Sequence, residues 1–261
     1  MKHTCRPVGT KESENVIPAS FSVIPTCSES FLLVRNRKER FWTSQNDKEV
    51  DFQVKKYVFA ISGASGSIIG IRVLRELLKT SHVHLIISSQ SFSIIKDETG
   101  IDWTIKKNSK FKIQDSRLTE DKIRKYFRTD RLFFYENTQM DAPIASGSFK
   151  TDGMLVVPCS MKMLSGIANG YANNLIERAA DVTIKEGRTL LLSPREMPFS
   201  AIHLENMLKL SRIGVKIAPP VLAFYHKPKK VDDMVDFMAG KILDAVGVEH
   251  EIYRRWEGSK K

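Results

Sequence analysis

Short apolar runs at 57–61, 83–87, 154–157, 189–192 and 215–218 alternate with stretches of helical periodicity, and this alternation leaves few folds open. Runs without a polar face suit strands covered on both sides, as in a parallel sheet between two helical layers. After the first run, Ile69, Val73, Leu74 and Leu77 recur at helical spacing, with Arg72, Arg75, Glu76 and Lys79 expected outward. Further helices are expected from near Ser160, Asn173 and Ser200. A last amphipathic helix follows Pro228, with Asp232 and Asp233 in its first turn and Val231, Met234, Val235, Met238, Ile242 and Ala245 turned inward. The pattern predicts an α/β, doubly wound parallel sheet of the Rossmann or flavodoxin-like kind, joined by right-handed crossovers.

The chain carries 41 Lys and Arg against 30 Asp and Glu, a formal charge of +11, which raises the question of a polyanionic partner. Position answers it. Residues 1–56 hold ten basic and seven acidic residues and 103–135 hold ten and four, so the remainder has a net excess of only two. The charge belongs to an N-terminal extension, expected to be poorly ordered, and to a basic insertion at 103–135, rather than to the single domain read over 57–261. Aromatics interleave with the insertion at Phe111, Tyr126, Phe127, Phe133 and Phe134, a spacing that also serves a core, and no nucleic-acid partner is expected.

Cys5, Cys27 and Cys159 are too few and too scattered for a disulfide framework or a structural zinc site. The six histidines show no metal-ligand spacing, and His82 and His84 alternate along a strand. The reading is a cytoplasmic chain without metal. Glu12, Glu14 and Glu29 oppose an acid-poor mitochondrial presequence, and no apolar run approaches the ~18 residues that cross a bilayer, so no membrane association is expected.

In open α/β sheets, ligands bind beyond the carboxyl ends of the strands. There the sequence places Ser62-Gly63-Ala64-Ser65-Gly66-Ser67, then Ser88, Ser89 and Ser91, then Pro158-Cys159-Ser160, then Pro194-Arg195-Glu196-Met197-Pro198. Hydroxyls on converging loops, beside an arginine flanked by prolines, suit a phosphate-bearing cofactor, and the first loop can present N–H groups to an anion at a helix N-terminus. It matches neither the dinucleotide G-x-G-x-x-G nor the Walker A loop, and a serine-rich turn also serves simply as an N-cap. Arg178, Asp181 and Lys185 share one helix face, as a surface ion-pair ladder would. Lys241 falls near the inward stripe of the last helix, where it either snorkels or meets a phosphate. Tyr225 reads as a loop aromatic and Glu98 as a helix-end carboxylate.

The ordered segments ISGASGSIIGIRVL, HLIISS, PIASGSF, PCSMKMLSGIANGYANNLIERAADVTIKEGR, PREMPFSAIHLENMLKLSRIG and PPVLAFYHKP resemble the UbiX/Pad family of flavin prenyltransferases, from about Lys56 to Gly258. The resemblance implies transfer of a dimethylallyl group from dimethylallyl monophosphate to reduced FMN, alkylation at N5 followed by ring closure onto C6, with no metal. It assigns Gly63, Ala64, Ser65, Ser88, Ser160 and Arg178 to FMN. Lys185, Arg195, Glu196, Tyr225 and Lys241 fall to the prenyl phosphate, with Trp256 lining the pocket. Ser65, Glu98, Lys185 and Glu196 become the catalytic candidates, Glu98 and Glu196 for proton handling. Lys241 stands where some relatives have arginine, which keeps the charge and loses a bidentate fork. The family further implies a homo-oligomer, a dodecamer, with pockets at subunit junctions, and a UbiD-type decarboxylase that receives the prenylated flavin. An FMN-dependent cysteine decarboxylase of the related superfamily is the main alternative, but its P-x-M-N-x-x-M-W segment is absent. A nucleic-acid-binding module is the second, and direct decarboxylation of an aromatic acid a third.

Overall fold

The computed structural model describes residues 54–105, 116–255 and 258 of the 261-residue chain. Most of the N-terminal extension, with Cys5 and Cys27, lies outside the described residues, as do Phe111 and Trp256. In chain order the elements are β1 (Lys56–Ile61), α1 (Ser67–Thr80), β2 (His82–Ile87), α2 (Ser89–Thr99), α3 (Ser116–Phe127), β3 (Leu132–Glu136), β4 (Gly153–Cys159), α4 (Met161–Ala168), α5 (Leu175–Lys185), β5 (Thr189–Pro194), α6 (Ala201–Arg212), β6 (Lys216–Ile217) and α7 (Val231–Ala245), with a 3₁₀ turn at Pro143–Ala145. The strands form one parallel sheet in the order β3-β2-β1-β4-β5-β6.

Strand parity divides the core into two layers. Phe59, Ile61, Leu85, Ile87, Leu155, Val157 and Leu191 face α1 and α7, where Val73, Leu74, Leu77, Val235, Ala239, Ile242 and Leu243 are buried. Val58, Ala60, Ile86, Met154, Val156, Leu190 and Leu192 face α4 and α5. Each fully buried aliphatic side chain contributes roughly 1.5–3 kcal/mol, so double coverage selects the continuous apolar runs seen in sequence. Gly70 lets α1 lie directly on the end of β4, since a Cβ there would overlap the Val157 carbonyl oxygen.

Helix starts follow side-chain caps. Ser160, Asn174 and Ser200 accept the backbone N–H groups of Met163, Glu177 and His203. Several expectations need correction. The segment read as a basic insertion supplies α3 and the edge strand β3. Leu132 and Phe134 of β3 are buried and Tyr135 packs against the other core layer, and the apolar run Leu132-Phe133-Phe134-Tyr135 that makes the strand sits inside the most basic stretch of the domain, whose charge drew the reading to an insertion. Val231 is exposed because it precedes the stretch of α7 that packs on α1, whereas Glu76, expected outward, is buried and paired with Lys79 at 2.6 Å. The last strand covers Lys216–Ile217 rather than 215–218. No described helix is long and apolar enough to cross a membrane.

Candidate active site

The chain runs from β1 outward through β2 to β3, then returns to β4 on the other side of β1 and continues to β5 and β6. The crevice between the carboxyl ends of β1 and β4 is therefore the topological switch point, where such sheets bind ligands. Hydroxyls knit its rim. The Ser62 hydroxyl donates to the Pro158 carbonyl at 3.2 Å and accepts the Ser160 N–H at 2.8 Å, tying the glycine loop to the loop after β4. Ser91 donates to the Ile61 carbonyl at 3.0 Å and lies 2.8 Å from the Ser88 hydroxyl, tying in the loop after β2. The Arg195 N–H reaches the Cys159 carbonyl at 3.2 Å, bringing in the loop after β5. Ser62 and Ser91 hold the rim together, yet nothing local distinguishes them from neighbouring serines; their partners lie 96 and 30 residues away.

The N-terminus of α1 already has its anion. The Glu98 carboxylate, at the end of α2, accepts from the Gly66 N–H at 2.9 Å and the Ser67 N–H at 2.8 Å. The anion that the sequence left unnamed at this helix N-terminus is, within the chain, a carboxylate from 32 residues away, which complements the helix dipole. Gly63 stays exposed and Ala64 and Ser65 half-buried, and a Cβ on Gly63 would lie 3.3 Å from the Gln90 side chain. The Ala64 N–H turns back to the Ser62 carbonyl at 2.7 Å, while the Ser65 hydroxyl has no hydrogen-bond partner among the described residues and remains open to a ligand. Cys159 is fully buried and burial pushes its thiol up to about 12, so it is no nucleophile at neutral pH.

The remaining candidates lie elsewhere in the protomer. Arg178 donates from Nε to the Ala145 carbonyl at 3.0 Å and pairs with Asp181 at 2.8 Å. Lys185 does not extend that ladder; it pairs with Glu186 at 2.9 Å, beside Gly147, whose Cβ position lies 3.0 Å from Nζ. Arg188 fixes this neighbourhood through the carbonyls of Gly147 and Phe149, at 2.7 and 2.9 Å. The PIASGSF segment is thus held against α5, a placement its sequence did not announce. Lys185 ends α5 at the amino edge of the sheet, and the six residues of β5 then carry the chain ~20 Å to Arg195 and Glu196 at the carboxyl edge, where both are exposed. Within one protomer, Lys185 and Arg195 therefore stand on opposite edges.

Tyr225 and Lys241 form a third group. Tyr225 meets the Phe237 ring edge-on at 5.5 Å, and Lys241 lies one turn beyond Phe237 on the same side of α7. Lys241 is exposed, rather than aligned with the buried stripe. Trp256 lies outside the described residues. Among the described residues, no cluster of three or more His, Cys, Asp or Glu has the arrangement to hold a metal ion.

Residues 45–243 match the Flavoprotein family. The chain is 46% identical over 201 residues to a protein of Methanocaldococcus jannaschii named flavin prenyltransferase UbiX, covering 77% of this chain and 98% of that one. It is 43% identical over 236 residues to a Saccharomyces cerevisiae protein named flavin prenyltransferase PAD1, mitochondrial, covering 90% and 87%. Two crystal structures are also similar. A dodecameric FMN-dependent UbiX-like decarboxylase from Escherichia coli O157:H7 has TM-score 0.67 at 42% identity, covering 78% of this chain and all of that one. AnUbiX (PadA1) in complex with FMN and dimethylallyl pyrophosphate has TM-score 0.69 at 37% identity, covering 80% and all.

Proposed function

The chain belongs to the UbiX-type flavin prenyltransferases, and on that premise we propose that it transfers a dimethylallyl group from dimethylallyl monophosphate to reduced FMN. The observation that carries this reading is the hydroxyl-lined switch point combined with the exposed cations Lys185, Arg195 and Lys241, set at three separate places on the protomer. Gly63, Ala64, Ser65, Ser88 and Ser160 would hold FMN at the rim, with Arg178 toward its charged end. When bound, reduced FMN supplies the nucleophilic positions N5 and C6. Leaving of a phosphate without metal requires protein cations, and Lys185, Arg195 and Lys241 supply them by charge-assisted hydrogen bonds. Tyr225 donates its hydroxyl to the same phosphate. Glu196 and Glu98 serve as proton acceptors, Glu98 from its seat on α1, and Ser65 orients the acceptor ring.

Because Lys185 and Arg195 lie on opposite edges of one protomer, a complete site needs neighbouring copies. Helix α6 supports this. It fully buries only Leu210 while exposing Ile202, Leu204 and Leu208, and Met197 in the loop before it and Val221 and Phe224 in the loop after β6 are exposed too. We propose a homo-oligomer, a dodecamer as named for the E. coli structure, in which this surface is covered. The product would pass to a UbiD-type decarboxylase.

The compartment proposed from sequence is the cytoplasm. The yeast relative, named as mitochondrial and matched over 90% of this chain, favours a second reading in which the N-terminal extension is a targeting segment. Fusion of residues 1–56 to a fluorescent protein separates the two. For the activity itself, Lys185→Ala, Arg195→Ala and Lys241→Ala should each raise the donor KM by about 10- to 100-fold, the worth of one charged hydrogen bond, while FMN retention stays unchanged. Equal loss of both would overturn this division of labour. Parallel assays with the monophosphate and the pyrophosphate identify the donor.

A further inference from the structure

Phe237 stands where three separate segments meet. It is buried on α7. The His226 ring lies flat on it, centroids 4.6 Å apart and planes at 7°, and Tyr225 meets it edge-on at 5.5 Å. Tyr253, from the C-terminal segment, presses its other flank at 5.1 Å. Both ring nitrogens of His226 are buried without a hydrogen-bond partner, so the ring stack holds this residue in place of any polar anchor. Behind the stack, the Tyr253 hydroxyl donates to Asp244, which also accepts from Arg255 at 2.7 Å and meets His250 Nε2 at 3.1 Å. The Tyr253 ring lies over Gly240, where a Cβ would overlap it, so the clasp closes immediately beside Lys241.

We infer that Phe237 is a positioning residue for the donor-phosphate site: it fixes Tyr225 relative to Lys241, and the Asp244–Tyr253 clasp locks it from behind. The inference rests on the reading of Tyr225 and Lys241 as donor-phosphate residues. A buried phenylalanine that only fills space would, on truncation, weaken the whole fold; a positioning residue affects one ligand. Misplacement of a binding group by about an ångström costs up to ~100-fold. Phe237→Leu in the full-length protein should therefore raise the donor KM by about tenfold, with kcat at saturating donor and FMN affinity within about twofold of wild type. Tyr253→Phe, which keeps the ring and loses the link to Asp244, should give a smaller shift in the same direction. In a Tyr225→Phe background, the Phe237→Leu effect on KM should largely vanish.

Hydrogen–deuterium exchange across 219–230 provides a readout independent of turnover and should rise in both variants while β1 and β4 stay protected. Unchanged exchange at 219–230, parallel losses of FMN affinity and kcat, or an undiminished effect in the Tyr225→Phe background would each overturn the inference. Loosened exchange in the variants, with no prenyl product even from wild type, would reject the donor reading while sustaining the clasp.

Discussion

If the active site is shared between protomers, two variants that are each strongly impaired at donor concentrations well below their raised KM should rescue each other. Lys185 closes α5 at the amino edge of the sheet, and Arg195 follows β5 at the carboxyl edge, ~20 Å along the strand. A phosphate touched by both must therefore take them from different copies. Lys185→Ala protomers bring an intact Arg195, and Arg195→Ala protomers an intact Lys185. In randomly mixed oligomers, half the sites receive a good lysine and, independently, half a good arginine, so about a quarter of wild-type activity should return. Co-expression with two affinity tags and sequential purification isolates the mixed oligomers, and the assay is prenylated flavin formed per bound FMN. Recovery no greater than either parent alone would show that one protomer supplies both groups, and would refute the argument from strand direction.

His84 is nearly buried among Phe133, Tyr135 and Phe149, and burial first, then the charges of Lys56 and His82, brings its pKa from 6.5 to about 4. Between these values the unfolded chain binds a proton that the folded chain refuses. The neutral ring's contribution is thus complete above pH ~6.5 and is lost as pH falls toward 4, about 3 kcal/mol in all at ~1.4 kcal/mol per unit. Urea unfolding at pH 7 and pH 5 should show wild type losing about 2 kcal/mol more than His84→Gln, and equal losses would dismiss the effect. Glu98→Gln removes the negative charge from the start of α1 and should cost about 1 kcal/mol of stability, read from the urea midpoint at constant slope; an unchanged midpoint would mean that the carboxylate is no cap.

Much of the fold is legible because β1, β2, β4 and β5 are covered on both faces, which writes continuous apolar runs into the chain. β3 carries such a run as well, Leu132-Phe133-Phe134-Tyr135, but it lies within a segment of ten basic and four acidic residues, and that charge masked it. The site divides in the same way. Residues after the strand ends are found by topology alone, since Ser88, Ser160 and Arg195 follow β2, β4 and β5 directly and Ser65 lies in the loop after β1. Other roles depend on long-range contacts with no local signature. Glu98 reaches α1 from the far end of α2, Ser62 bridges to the loop after β4, and Tyr225 is set by a ring on α7 and a tyrosine beyond it. Sequence proximity also misleads. Lys185 and Arg195 are ten residues apart, yet the reversal between α5 and β5 sends them to opposite edges.

The most direct test of the account is anaerobic incubation of the purified protein with reduced FMN and dimethylallyl monophosphate, followed by mass spectrometry of the extracted flavin. The account predicts a flavin enlarged by one five-carbon unit, formed only when protein and donor are both present. Unmodified FMN, with the donor shown to be intact and the flavin still reduced, would contradict it.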